Sequence, residues 1–112
     1  METTRQNKIS RLLQKELSDI FQKESRNLAS GALITVTVVR ISPDMSVAKV
    51  YLSFFPVKDT EKFLDNIKEN VKLIRGLLGE RVKQQLRIVP ELVFYIDDSL
   101  DYADKIDRLL KK

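Results

Sequence analysis

The stretch from Leu33 to Phe55 leaves this chain few ways to fold. It reads LITVTVVRI, then SPDMS, then VAKVYLSFF. β-Branched and aromatic residues dominate both flanks, and much of their length alternates in character. Pro43 suits a turn position with φ of about −65°. The pattern predicts a β-hairpin: a strand from Leu33 to Ile41, a loop centred on Pro43 to Ser46, and a strand from Val47 to Phe55. In the second strand Ala48, Val50, Leu52 and Phe54 point one way, and Lys49, Tyr51 and Ser53 the other. A lone hairpin is marginal in water, so its apolar face demands a cover and its edge a further strand.

The flanking sequence offers both. From about Thr4 to Ser25, apolar residues fall at Ile9, Leu12, Leu13, Leu17, Ile20 and Phe21, the spacing of one helical face. Lys8, Arg11 and Lys15 align along another side, with Arg5 nearby. Arg26 to Gly31 reads as a linker. After the hairpin, 56–60 is a connection in which Asp59 or Thr60 is placed to cap the next helix. Helical periodicity then runs through Phe63, Leu64, Ile67, Val71, Ile74, Leu77, Leu78, Val82 and Leu86, decorated by Lys68, Lys72, Arg75, Arg81, Lys83 and Arg87. Gly76 and Gly79 permit a bend there. Pro90 predicts a helix end near Leu86 to Ile88. Glu91 to Ile96 reads as a third strand, with Leu92, Phe94 and Ile96 on one face. Ser99 is placed to cap a last helix from Leu100 to about Leu110. The result is a small α+β domain whose three-stranded sheet is covered by helices on one face and more open on the other.

A length of 112 residues is enough for one domain with a core of its own. The absence of cysteine and histidine excludes Cys- or His-ligated zinc, iron–sulfur clusters, thiol chemistry and any histidine base. The carboxylates offer little: Asp97 and Asp98 are adjacent and point apart in a strand, and the spacing of Asp44, Asp97, Asp98 and Asp101 is no metal motif. Arg75 to Glu80 lacks the order of a phosphate-wrapping loop. Ser42, Ser46 and Ser53 have no histidine to activate them. The expectation is no enzyme, no cofactor and no metal. METTRQNK lacks the apolar core of a signal peptide, and no apolar run approaches membrane-spanning length, which predicts a cytoplasmic protein without membrane contact.

The net charge is +4, while residues 91–112 are acidic on balance. The excess of cations on the helical segments suits a polyanion, and a platform of strands and helices could grip RNA by its backbone. Tyr51 and Tyr95 lie on the alternation that does not face the core, leaving base stacking and packing within the sheet both open. The rival is a protein-interaction module docking a partner through the hairpin edge or the C-terminal helix, its charge incidental.

Ser42-Pro43-Asp44-Met45-Ser46, with Ala48 to Ser53 behind it, resembles the ribosome-binding factor A family. Ile74-Arg75, then Leu86 to Phe94, then Asp97-Asp98-Ser99, match that family's second signature in order and spacing. The opening helix with Arg5, Ile9, Leu12, Leu13 and Leu17 is similar to its first element. The resemblance covers nearly the whole chain. It implies a K-homology domain of the bacterial topology (helix–strand–strand–helix–helix–strand) over residues 1–112, with 99–112 a C-terminal helix. It further implies a non-catalytic factor that binds the maturing small (30S) ribosomal subunit and its 16S rRNA. The family role is late maturation and 5′-end processing, with weight in cold adaptation. A monomer is the default.

One departure stands out. The family has an alanine-x-glycine kink between its two consecutive helices, where this chain has Asn70-Val71-Lys72. The glycine's freedom is lost, but Asn70 tolerates unusual backbone angles and can bond its own chain, so a break near Asn70 is favoured over a bend near Gly76. Lys72 adds a cation at the kink. The candidate phosphate contacts are Lys8, Arg11, Lys15, Lys68, Lys72, Arg75, Arg81, Lys83 and Arg87.

Overall fold

A computed structural model describes residues 4–55 and 59–97; the expected C-terminal helix lies outside them. The element order is α1 (Thr4–Ala29), β1 (Leu33–Ile41), β2 (Val47–Phe55), α2 (Thr60–Glu69), α3 (Val71–Val82) and β3 (Glu91–Ile96). All three strands occupy the residues that the alternation predicts. β1 pairs antiparallel with β2, and β3 returns beside β2 in parallel, giving the order β1-β2-β3.

The helices cover one sheet face because only one face is apolar throughout. Ala48, Val50, Leu52 and Phe54 from β2 meet Leu92 and Phe94 from β3, and α1 supplies Leu13, Leu17 and Phe21, all buried. Phe21 meets Phe94 edge to face with ring centroids 5.9 Å apart, the geometry aromatic quadrupoles prefer. In β1 the pairing slips between Val36 and Val38. This bulge at Thr37 reverses the phase of the strand: Ile34 and Val36 precede it in the core, Val39 and Ile41 follow it there, and Arg40 turns outward. Two side chains of α1 reach the same strand. Gln14 Nε2 donates to the carbonyls of Val36 (3.0 Å) and Thr37 (3.2 Å), and Gln6 Nε2 to that of Ile41 (3.2 Å).

Two helix ends and one cap differ from the sequence reading. α1 runs on to Ala29 rather than ending near Ser25, because Leu28 and Ala29 are buried and extend its apolar stripe past the polar Arg26-Asn27. Ser30 and Gly31 then take positive φ (51° and 88°), and the Gly31 amide donates to the Ser25 carbonyl at 3.0 Å. Asp59 does precede α2, but in a left-handed conformation without a side-chain cap bond; its carbonyl accepts from Phe63 N instead. α3 stops at Val82, short of Leu86, where Gln85 and Leu86 both donate to the Val82 carbonyl.

The helical region divides at Asn70, whose φ of −104° and ψ of 19° take it out of helix. Its Nδ2 donates to the Asn66 carbonyl at 2.7 Å. Asn66 in turn donates to the carbonyls of Asn27 and Leu28, each at 3.0 Å, fixing the break against the end of α1. Gly76 sits inside α3 in open space, whereas at Gly79 a Cβ would come into contact with the Val89 side chain, 3.4 Å from its Cγ2.

Candidate nucleic-acid interface

The nine cations singled out from the sequence fall into three groups. Lys8, Arg11 and Lys15 are exposed along the side of α1 opposite its buried stripe. None has an ion-pair partner among the described residues. Their charge is therefore available to solvent or to a polyanion.

Lys68 and Lys72 form the second group, exposed on either side of the break at Asn70. Lys68 and Val71 border a shallow groove of about 260 Å³ whose far wall is Glu91, Leu92, Val93 and Phe94 of β3. The groove thus joins the α2–α3 junction to the free edge of the sheet.

The third group surrounds the end of α3 and is largely engaged within the chain. Arg75 donates from Nη2 to the Val89 carbonyl (2.8 Å) and from Nε to that of Pro90 (3.2 Å), which fixes its position. These bonds draw the segment before β3 back along α3, which accounts for the early end of that helix. Arg81 pairs with Asp19 at 2.6 Å and Glu16 at 3.2 Å, seaming α3 to α1. Hydrogen bonding to Asp19 is the main influence raising the Arg81 pKa; on Asp19 the bonds to Lys23 and Arg81 lower it. Lys83 lies 3.2 Å from Glu80 in an exposed pair, and Arg87 is exposed in the connection to β3. Arg81 is the member of the nine whose charge is most fully answered inside the protein.

The hairpin loop is a built structure. The Asp44 carboxylate accepts from Ser42 Oγ (2.7 Å), Ser46 Oγ (2.7 Å) and Ser46 N (3.1 Å), while Ser42 Oγ accepts from Val47 N (3.1 Å). The hydroxyl of Ser42, then that of Ser46, holds the Asp44 carboxyl below its ordinary pKa. Met45 adopts a positive φ of 63° at the tip. The spacing Ser-Pro-Asp-Met-Ser thus serves a loop whose one acid collects its neighbours' donors.

The face of the sheet that none of the described helices covers carries two cations outside the candidate contacts expected from the sequence. Arg40 and Lys49 are directly paired across β1 and β2 and both are exposed. Next to them Tyr51 and Tyr95, paired across β2 and β3, stack with centroids 5.3 Å apart and planes 24° from parallel. Lys49 was legible from the alternation of β2. Arg40 was not, because strict alternation from Ile34 would turn it into the core.

Among the described residues no group of acids could hold a metal ion, and no helix is long and apolar enough to cross a membrane.

One α-helix, an antiparallel hairpin, two helices meeting at a one-residue break and a parallel third strand define a K-homology-type domain of the bacterial topology. The family model described as ribosome-binding factor A matches residues 5–110. A ribosome-binding factor A of Cytophaga hutchinsonii is 52% identical over 112 residues, covering all of this chain and 84% of that protein. One of Flavobacterium johnsoniae is 52% identical over 111 residues, covering 98% and 85%. Among solved structures, the crystal structure of ribosome-binding factor A from Thermus thermophilus superposes with a TM-score of 0.70 at 26% identity, covering 81% of this chain and 94% of that one. A homology model of the Thermus thermophilus factor, fitted into a cryo-EM map of its 30S complex, superposes with a TM-score of 0.60 at 26% identity, covering 88% and 97%. The chain belongs to the ribosome-binding factor A family.

Proposed function

We propose that this protein is a non-catalytic assembly factor that binds the maturing 30S subunit and its 16S rRNA, assisting late maturation and 5′-end processing. The observation that carries the reading is the family match over residues 5–110. The chemistry of the surface agrees with it. Lys8, Arg11 and Lys15 offer unanswered charge along one helix, and Lys68 borders a groove at the helix break with Lys72 exposed on the other side of the break. Such contacts hold phosphates and set orientation without reading sequence. Arg75, Lys83 and Arg87 extend this field, while Arg81 serves chiefly to join two helices.

A factor of this kind acts by binding one rRNA arrangement better than its alternatives. The population of that arrangement then rises by the differential affinity, and no bond need be made or broken by the protein. The test is co-sedimentation with immature small subunits over a range of salt concentrations. Lys68→Gln with Lys72→Gln, and separately Lys8→Gln, Arg11→Gln and Lys15→Gln together, should weaken binding. Removing a cation from a phosphate should flatten the dependence of log affinity on log salt by about 0.7 to 0.9 for each one removed. Wild-type affinity and slope in both variants would show that these residues are misassigned; failure of the wild-type protein to sediment with subunits in dilute salt would end the proposal.

A further inference from the structure

We propose that the sheet face opposite the described helices is a second nucleic-acid surface, on which a base of single-stranded RNA stacks on Tyr95 while Arg40 and Lys49 hold adjoining phosphates. That the strand is RNA rests on the function proposed above; the surface itself rests on four observations. Arg40 and Lys49 are direct cross-strand partners, and like charges opposite one another weaken a sheet. Neither has an ion-pair partner among the described residues to offset this. Immediately beside them Tyr51 and Tyr95 stack face to face on the same side of the sheet, with Tyr95 39% exposed. A cross-strand tyrosine pair accounts for the contact between the two rings. It does not account for an outward ring beside two unanswered cations.

The third observation is how this face is aimed. The bulge at Thr37 turns Arg40 outward and places Thr37 Oγ1 to donate to the Asp97 carboxylate, with the Tyr51 carbonyl 3.3 Å away. Val38, Arg40, Tyr51 and Asp97 border a hollow of about 350 Å³. A strand entering the hollow meets Arg40 on its wall and runs its backbone over Arg40 and Lys49 and its base over the outer ring of Tyr95. Fourthly, Leu33 and Phe55, also cross-strand partners, are 58% and 70% exposed. They continue the apolar platform beyond Ser53. Stacking on aromatic side chains beside a cationic track is how single strands are held without sequence preference.

The chain has no tryptophan and three tyrosines, so tyrosine fluorescence in a Tyr102→Phe background reports Tyr51 and Tyr95 alone. The probe is a hexameric oligoadenylate, compared with an abasic strand of equal length. The oligoadenylate should quench this emission and bind more tightly than the abasic strand. Tyr95→Leu should lower its affinity roughly five- to a hundredfold with the salt slope unchanged, and Tyr95→Phe should restore it. Lys49→Gln should instead flatten the salt slope by about 0.7. Equal binding of the two strands, or Tyr95→Leu at wild-type affinity, overturns the proposal. So does loss of Tyr95→Leu from small subunits with oligoadenylate affinity intact, which would give this face to a protein. Oligoadenylate binding abolished by the triple Lys8, Arg11 and Lys15 substitution would also overturn it. A protein that sediments with subunits but ignores oligoadenylate fails here and leaves the assembly role standing; the converse pair of results fails that role and leaves this surface standing.

Discussion

Arg81 Nη1 stands 2.6 Å from Asp19 Oδ2 and 3.2 Å from Glu16 Oε2, so one guanidinium on α3 answers two acids on α1. The pairing separates two uses of positive charge in a chain that has many cations. Arg81→Gln should lower the thermal midpoint of unfolding and loosen the α1–α3 seam, since two carboxylates would lose their shared partner. Its effect on small-subunit affinity should stay within about threefold, well below that of the Lys68 and Lys72 pair, because little of its field reaches solvent. Parallel melting and co-sedimentation measurements check both halves.

Two acids among the described residues have lowered pKa values, and each contributes stability that acid removes. Asp44 is held low by the hydroxyls of Ser42 and Ser46, and Asp19 by Lys23 and Arg81. A carboxyl whose folded pKa lies below its unfolded value binds fewer protons when folded. Its contribution is complete above the ordinary value of 3.8 and is lost as the pH falls through the lower, folded value. Urea unfolding should therefore show stability constant from neutrality to about pH 5 and falling below about pH 4. Asp44→Asn should be less stable than wild type at neutral pH, with the difference narrowing under acid conditions.

The helix break depends on an asparagine's own bonds. Asn70→Ala removes the 2.7 Å bond to the Asn66 carbonyl and should cost about 1 kcal/mol. Lys72→Gly, which restores the glycine that the family resemblance leads one to expect, should also destabilise by up to about 1 kcal/mol, since Lys72 lies inside α3 and is not among the residues of positive φ. Gly76→Ala should stabilise by a similar amount, as open space surrounds that position. Denaturant midpoints of the three variants, with unchanged m-values, measure these differences.

The strands were legible because period-two alternation and β-branched residues act over a few positions at a time. The faces of β2 and β3 followed directly. Helix ends were harder, since they depend on contacts distant in sequence. Leu28 and Ala29 extend α1 only because α2, through Asn66, folds against them. α3 ends early because Arg75 grips the carbonyls of Val89 and Pro90, while the apolar period continues to Leu86. The cations of the candidate interface could be counted from the sequence but not sorted. Arg81 looks like its neighbours until Glu16 and Asp19 are brought to it. Arg40 is hidden by a one-residue bulge that no composition rule announces.

The glutamines of α1 leave the two borders of the sheet unequally defended. Gln14 and Gln6 occupy carbonyls of Val36, Thr37 and Ile41, so a foreign strand arriving along β1 finds three of its acceptors already taken. The opposite border, β3, is only six residues long, and a short edge offers an incoming chain little to zip against. A sheet with one side latched by amides and the other kept brief resists edge-to-edge growth into fibres at high concentration.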